Sequence, residues 1–139
     1  MKMKVVLDPG AYMPTLAHAD DGGYDLRSPL NFTIPPRGHS IIVTGVHIAL
    51  PRSCVGRIEN KSSVFTRLHC VTSGLIDPGY TGSICVTLYN LGDSPVRIEK
   101  GQKIAQLVIT PVKRPRLKLV ARLKDTERGS GGVGSTGTF

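Results

Sequence analysis

Five short stretches of the chain set polar side chains beside glycine or proline at spacings that could do chemistry. Gly74-Leu75-Ile76-Asp77-Pro78-Gly79-Tyr80-Thr81-Gly82 reads as two short strands around a turn, because Pro followed by Gly suits a type II turn. Such a hairpin exposes main-chain amides and carbonyls along one edge, groups able to read the edge of a base. Its first strand ends on a carboxylate, Asp77, which taken alone equally reads as a turn-initiating residue. Gly56-Arg57-Ile58-Glu59-Asn60-Lys61-Ser62-Ser63 runs a strand into a cation and two hydroxyls. With the first amides of a short helix these would make an anion site. Ordinary capping by serine explains the same pattern, and the spacing is not that of a Walker loop. Gly22-Gly23-Tyr24-Asp25-Leu26 places a carboxylate after a glycine pair, and Gly101-Gln102-Lys103-Ile104-Ala105-Gln106-Leu107 is a turn followed by a strand bearing an amide. Last, Arg128 precedes a tail, Gly129 to Gly137, rich in glycine and carrying Ser135 and Thr136. A guanidinium, small hydroxyls and free backbone N–H groups suit a chain of phosphates. By composition alone the same tail reads as a frayed end.

The elements that must position these groups are strands. No amphipathic helical period persists, and short β-branched runs recur between Gly, Pro, Asn or Asp. The runs are Lys4–Leu7, Phe32–Ile34, Ser40–His47, Val55–Glu59, Gly82–Tyr89, Val96–Ile98, Ile104–Thr110 and Leu117–Arg122. Their spacing predicts an all-β sandwich, jelly roll or barrel. Ser62–His69 is the one short helix expected, with Ser62 or Ser63 as its cap.

Composition agrees. The 139 residues suit one domain, with 40% hydrophobic residues, 5% aromatics and no Trp, so the core must rest on Val, Ile and Leu. The formal charge of +8 favours a polyanionic partner. Much of it lies in Lys113, Arg114, Arg116, Lys118, Arg122 and Lys124. That stretch reads as a solvated strand edge rather than a nucleic-acid patch, since no aromatic interleaves it. Cys54, Cys70 and Cys85 are odd in number and show no metal-ligand spacing, so they read as buried free thiols of a reducing compartment. No signal-peptide core and no apolar run of membrane-spanning length occurs; the expectation is a soluble, intracellular protein without a membrane partner. His18, His39, His47 and His69 have no motif context and are assigned no chemistry.

In order and spacing, the five stretches resemble the five motifs of the homotrimeric dUTPase family (dUTP diphosphatases), from about Ala17 to Gly137. The connecting Thr33-Ile34-Pro35-Pro36 and Asp125-Thr126-Glu127-Arg128 fit the resemblance too. Gly22 stands where the family usually has Ala, Lys61-Ser62-Ser63 where it has Arg-Ser-Gly, and Val133 where it has an aromatic. The resemblance implies an all-β distorted jelly roll of the β-clip kind with one short helix, assembled as a homotrimer with C-terminal tail exchange. Residues 1–124 would form the core and 125–139 a glycine-rich lid. It implies hydrolysis of dUTP to dUMP and pyrophosphate, which keeps uracil out of DNA and supplies dUMP for dTMP synthesis.

Residue by residue, it implies that the main chain around Val71, Gly74, Leu75 and Ile76 reads uracil, because fixed donors and acceptors reject a base with the wrong edge. Tyr80 would pack against the deoxyribose. Asp77 would hold the 3′-hydroxyl and act as general base for water attacking the α-phosphorus. Lys61, Ser62 and Ser63 would hold the phosphates, with Ser62 near the α–β bridge. Asp25 and Gln106 would hold, through water, a Mg²⁺ ion on the triphosphate. Arg128, Gly132, Val133, Ser135 and Thr136 would close over the substrate. Val133 offers less contact than a ring, unless Phe139 folds back to substitute. The alternatives are a dCTP deaminase of the same fold, for which Glu59 is the obvious glutamate, and a dUTPase-like protein used to bind a partner.

Overall fold

The computed structural model describes residues 2–139. It contains eleven strands and one helix among those residues: β1 (Lys4–Leu7), β2 (Tyr24–Arg27), β3 (Phe32–Ile34), β4 (His39–Val43), β5 (Val46–Ala49), β6 (Cys54–Glu59), α1 (Ser62–Leu68), β7 (Cys70–Val71), β8 (Gly74–Ile76), β9 (Cys85–Asn90), β10 (Val96–Ile98) and β11 (Lys103–Pro111). All pairings are antiparallel. The strands form a four-stranded sheet in the order β2-β11-β6-β8, a three-stranded sheet β4-β9-β7, and the two-stranded pairs β1-β5 and β10-β3.

Alternation builds the core. Along β9, Val86 and Leu88 point inward while Cys85 and Tyr89 stay exposed. With Leu26, Ile34, Ile98, Ile104 and Leu107 they form one buried cluster. Burying each such aliphatic side chain contributes about 1.5–3 kcal/mol, so the absence of Trp costs the core little.

The expected strands at Lys4–Leu7, Phe32–Ile34 and Val96–Ile98 occur with those bounds. The run Ser40–His47 is two strands, broken at Thr44-Gly45, where Gly45 adopts a positive φ of 73°. Strand β9 begins at Cys85 rather than Gly82. The run Leu117–Arg122 is not a strand: it pairs with none of the described residues, and its Leu117 and Leu119 are almost wholly exposed. A lone segment without a sheet edge to join has no partner for its backbone groups, which sequence alternation cannot reveal. Helix α1 forms, but neither serine caps it. Its N-cap is Lys61, without a side-chain hydrogen bond, and His69 ends it in the left-handed region. Cys54 and Cys70 are buried free thiols, whereas Cys85 is exposed on β9. No helix among the described residues is long and apolar enough to cross a membrane.

Candidate active site

The Asp77 turn forms as its sequence requires. The Tyr80 N–H donates to the Asp77 carbonyl at 3.1 Å, and Gly79 takes φ 105°, the positive value a type II turn needs at that position. β8 leads into this turn and is the edge strand of its sheet, paired only with β6. One row of its main-chain groups therefore has no strand partner, and Gly74 and Leu75 are exposed beside it. Ile76 turns its side chain into the core, so only its main chain is available. Val71 lies in β7, of the other sheet. The expected second strand of this hairpin is absent: residues 80–84 leave it as a loop held by its own contacts and by residues 44–47. The Tyr80 hydroxyl donates to the Ser83 carbonyl at 2.9 Å.

A second cluster lies on β2, β11 and the start of α1. Gln106 of β11 is in register with Asp25 of β2 on one side and with Glu59 of β6 on the other, so the three side chains share a face. Between Lys103 and Ala105 the β2–β11 register shifts. That bulge matters, because residues 103 and 106 are an odd number apart and would face opposite sides of a regular strand. Here Lys103 opposes Arg27 and Gln106 opposes Asp25, which puts both on the Asp25 face.

Asp25 is buried, at 3% exposure. Lys61 Nζ lies 2.8 Å from its Oδ1 and Lys103 Nζ 2.6 Å from its Oδ2. Burial pushes the Asp25 carboxyl upward, but the bonds and charges of Lys103 and Lys61 outweigh it and hold the group below the usual carboxylate range. One carboxylate thus anchors two ammonium groups at the foot of α1. Substituting Asp25 by Ala leaves two like charges together. Each lysine is 25–30% exposed and can turn toward water, so the expected loss is about 1–3 kcal/mol, read as a lower urea midpoint at unchanged slope.

The Gln106 Nε2 donates to the Asn60 carbonyl at 2.9 Å, which leaves Oε1 as a free acceptor. This amide lies so close to the start of β2 that a Cβ on Gly23 would stand 2.7 Å from Oε1, so a side chain there would push the Gln106 amide aside. Among the described residues no three His, Cys, Asp or Glu side chains gather as a chelating set. Asp25 Oδ2 is buried and makes no hydrogen bond although Lys103 Nζ is near it, an orphaned acceptor that a water of a bound ion would satisfy once a lysine turns aside. This donor set suits a Mg²⁺ ion that keeps its waters and does not suit one chelated by the protein.

α1 presents Ser62 and Ser63, both exposed, at its first turn. The first N–H groups to bond within the helix are those of Val64 and Phe65, which donate to the Lys61 carbonyl. Those of the two serines are left for a ligand or water.

These two halves of the site do not meet within one chain. β6 and β8 are antiparallel with Gly56 opposite Ile76, and the register continues to Asn60, whose Oδ1 accepts the Thr72 N–H at 2.7 Å. Asp77 therefore lies beside Val55, six residues of extended chain from Lys61, a separation of roughly 20 Å.

Nor does the tail reach either half. Residues 126–137 fold into successive turns of their own: Arg128 Nε donates to the Gly131 carbonyl, Ser135 N–H to that of Gly132 and Gly137 N–H to that of Gly134. Gly132, Ser135 and Thr136 are exposed, as are Val133 and Phe139, so Phe139 does not fold back. Glu59 is held by Arg57 Nε at 2.7 Å.

Sequence reasoning missed Lys103, since nothing in the sequence marks the bulge that turns it toward Asp25. It also missed His47, which bonds to the loop after Tyr80 from a strand with no motif.

A family model described as dUTPase matches residues 10–137. A deoxyuridine 5′-triphosphate nucleotidohydrolase of Clostridium kluyveri is 44% identical over 133 residues, which span 93% of this chain and 92% of the relative. The one from Gloeothece citriformis is 40% identical over 99% of this chain and 97% of its own. The human mitochondrial one is 41% identical over 94% of this chain, and the match spans 52% of its length. Among solved structures, the dUTPase of Staphylococcus bacteriophage 80alpha with dUpNHpp superposes with TM-score 0.93 at 31% identity, over 98% of both chains. A mutant dUTPase of phage phi11 of S. aureus, described as revealing the coordination of a structural Mg(II) ion, superposes with TM-score 0.83 at 27% identity, over 90% of this chain and all of that one.

Proposed function

Because the chain belongs to the dUTPase family, we propose that it hydrolyses dUTP to dUMP and pyrophosphate at sites built from more than one copy of itself. The observation that carries the second part is the separation of Asp77 from Lys61 and Ser62 by the length of β6. Water activated at the α-phosphorus and a leaving group stabilised at the α–β bridge must lie within a few ångström of each other on one substrate. A single chain holds the two groups roughly 20 Å apart, so the hairpin of one copy serves the phosphate holder of another. The family's homotrimer, with the lid from a further copy, meets that requirement, and it gives the exposed tail a place to act.

The division of labour follows from the local chemistry. The open edge of β8, with Val71, Gly74, Leu75 and Ile76, offers main-chain donors and acceptors to uracil. A base presenting the wrong edge leaves those groups unpaired. Tyr80 packs on the deoxyribose. Asp77 accepts the 3′-hydroxyl and takes the proton from the attacking water. The bond from water oxygen to α-phosphorus forms as the bridge to the β-phosphate breaks. Lys61, Ser62, Ser63 and the free amides of the first helical turn receive the charge that builds on the departing pyrophosphate. Asp25 and Gln106 would hold Mg²⁺ through water, and the ion would supply charge neutralisation along the triphosphate. Arg128, Ser135 and Thr136 engage the γ-phosphate as the tail, with Gly132 and Val133, orders over the substrate and excludes bulk water.

A deaminase is not favoured: the dCTP reaction would need a glutamate at the base, the stretch Val71–Gly82 contains none, and Glu59 is engaged by Arg57. A protein kept only for partner binding is not favoured either, since Asp25, Ser62, Asp77, Tyr80, Gln106 and Arg128 are all present.

The test is pyrophosphate release from dUTP, dTTP, dCTP and UTP with magnesium, alongside a native mass. Release from dUTP exceeding each of the others by at least about 10²-fold is expected from a site that reads both base and sugar. Ammonia from dCTP, or equal release from UTP, would overturn the assignment, and a monomeric mass with full activity would overturn the shared site.

A further inference from the structure

His47 lies on β5 opposite Val6 of β1, away from every motif, yet its side chain joins the end of β1 to the loop after Tyr80, beside the link that the main chain of Gly45 makes from Asp8 to Ser83. Its Nε2 lies 3.0 Å from Asp8 Oδ1, just past the end of β1, and its Nδ1 lies 2.8 Å from the carbonyl oxygen of Thr81. A carbonyl and an ionised carboxylate only accept. Neutral imidazole has one N–H and would aim a lone pair at one of them. Both contacts are made only by the imidazolium, which donates from both nitrogens.

The segment it grips is the loop that leaves the Asp77 turn. Thr81 follows Tyr80, whose hydroxyl reaches the Ser83 carbonyl. Ser83 and Ile84 are in turn held by the residues leading into β5. The Gly45 N–H donates to Ser83 Oγ at 2.9 Å, and the Thr44 hydroxyl to the Ile84 carbonyl at 2.7 Å. His47 is thus the last of a series of ties from β5, and the one nearest the Asp77–Tyr80 turn.

We propose that His47 is a positioning residue for this hairpin, acting as an imidazolium staple that fixes Thr81 to Asp8 and so holds Tyr80 and Asp77 where the nucleoside must bind. The charged groups that face the ring are Asp8, which favours its protonation, and Lys4, on the same face of β1, which opposes it. The loop presents only the Thr81 carbonyl, and the flanking β5 residues Ile48 and Ala49 are uncharged. The Thr81 carbonyl first, and then Asp8, raise the His47 pKa above its ordinary 6.5, against a smaller opposing effect of burial. A group raised on folding gives its full contribution below its ordinary pKa and loses it as pH rises through the folded value. The staple is therefore complete in mild acid and opens at one end on the alkaline side, a switch in the range where histidine titrates.

The kinetic part of the test rests on the dUTPase reading, while the spectroscopic part does not. In an NMR titration of the whole chain, the His47 midpoint is expected above 6.5, with the Thr81 and Gly82 amide signals moving in step, and Asp8→Asn should lower that midpoint. In dUTP assays, KM is expected to rise about three- to tenfold as pH passes the midpoint while kcat changes less than about twofold. His47→Gln should show the raised KM at every pH and no step. A midpoint at or below 6.5, a step that survives in His47→Gln, or a loss of thermal stability with the KM profile unchanged would each overturn the proposal. A wild-type chain that does not hydrolyse dUTP would strike the parent reading alone, and the titration would still decide the staple.

Discussion

Asp77→Asn is expected to leave a folded, assembled protein whose turnover of dUTP is lower by about 10²–10⁴-fold, the usual contribution of a positioned general base. The fold should survive because the turn is closed by the Asp77 main-chain carbonyl accepting from Tyr80, a bond asparagine keeps. The side chain is exposed, so no buried contact is lost, and asparagine has the same shape. It cannot take up the proton of an attacking water, and its amide can still meet the 3′-hydroxyl. The loss should therefore fall on kcat rather than KM. The checks are the two kinetic constants, the native mass and the thermal midpoint measured on one preparation. Near-normal kcat would remove Asp77 from the role of base.

Mixing two inactive variants is expected to restore activity. Ser62→Ala removes the donor proposed for the leaving pyrophosphate and should lower kcat by about 10²–10³-fold; Asp77→Asn removes the proposed base. If Asp77 and Ser62 of one site belong to different copies, co-refolding equal amounts of the two variants gives sites with both groups intact. Such a site needs its hairpin from a Ser62→Ala copy and its phosphate holder from an Asp77→Asn copy. Random closed assembly meets both conditions at about one quarter of the sites. Activity near one quarter of wild type is the expected result, measured after the subunits are mixed in denaturant and returned to buffer. No recovery above the separate variants would mean that one copy supplies both groups. That outcome would contradict the roughly 20 Å between the two ends of the β6–β8 pair.

The physical reasons for what could be read early are local. Alternation in Cys85–Asn90 encodes which of its faces is buried, whatever lies opposite. Pro78-Gly79 encodes its turn because proline fixes one φ and glycine permits the next. Helix α1 was legible as a short apolar step, although its cap was not. Lys61 takes that position with its side chain paired to Asp25, a partner 36 residues away. Strand β2 is not legible in the sequence, because its four residues follow a glycine pair and alternate weakly, and become a strand only by pairing with β11. The run Leu117–Arg122 had the alternation and lacked the partner.

The sequence by itself determined the family, the five motifs and the residue types proposed to meet a nucleotide, because the order and spacing of motifs are properties of the chain. It also placed Val133 in the glycine-rich tail proposed to act as a lid, where the resemblance leads one to expect a ring. Tertiary structure alone decided how those residues are grouped. The bulge in β11 turns Lys103 and Gln106 to one face despite their odd spacing, so that Asp25 anchors two cations. The register of β6 against β8 parts Asp77 from Ser62, although only fifteen residues separate them in the chain. The folding of β1 against β5 brings Asp8 to His47. Each of these depends on pairing between segments distant in sequence, and register is set by the packing of the whole sheet rather than by any one strand.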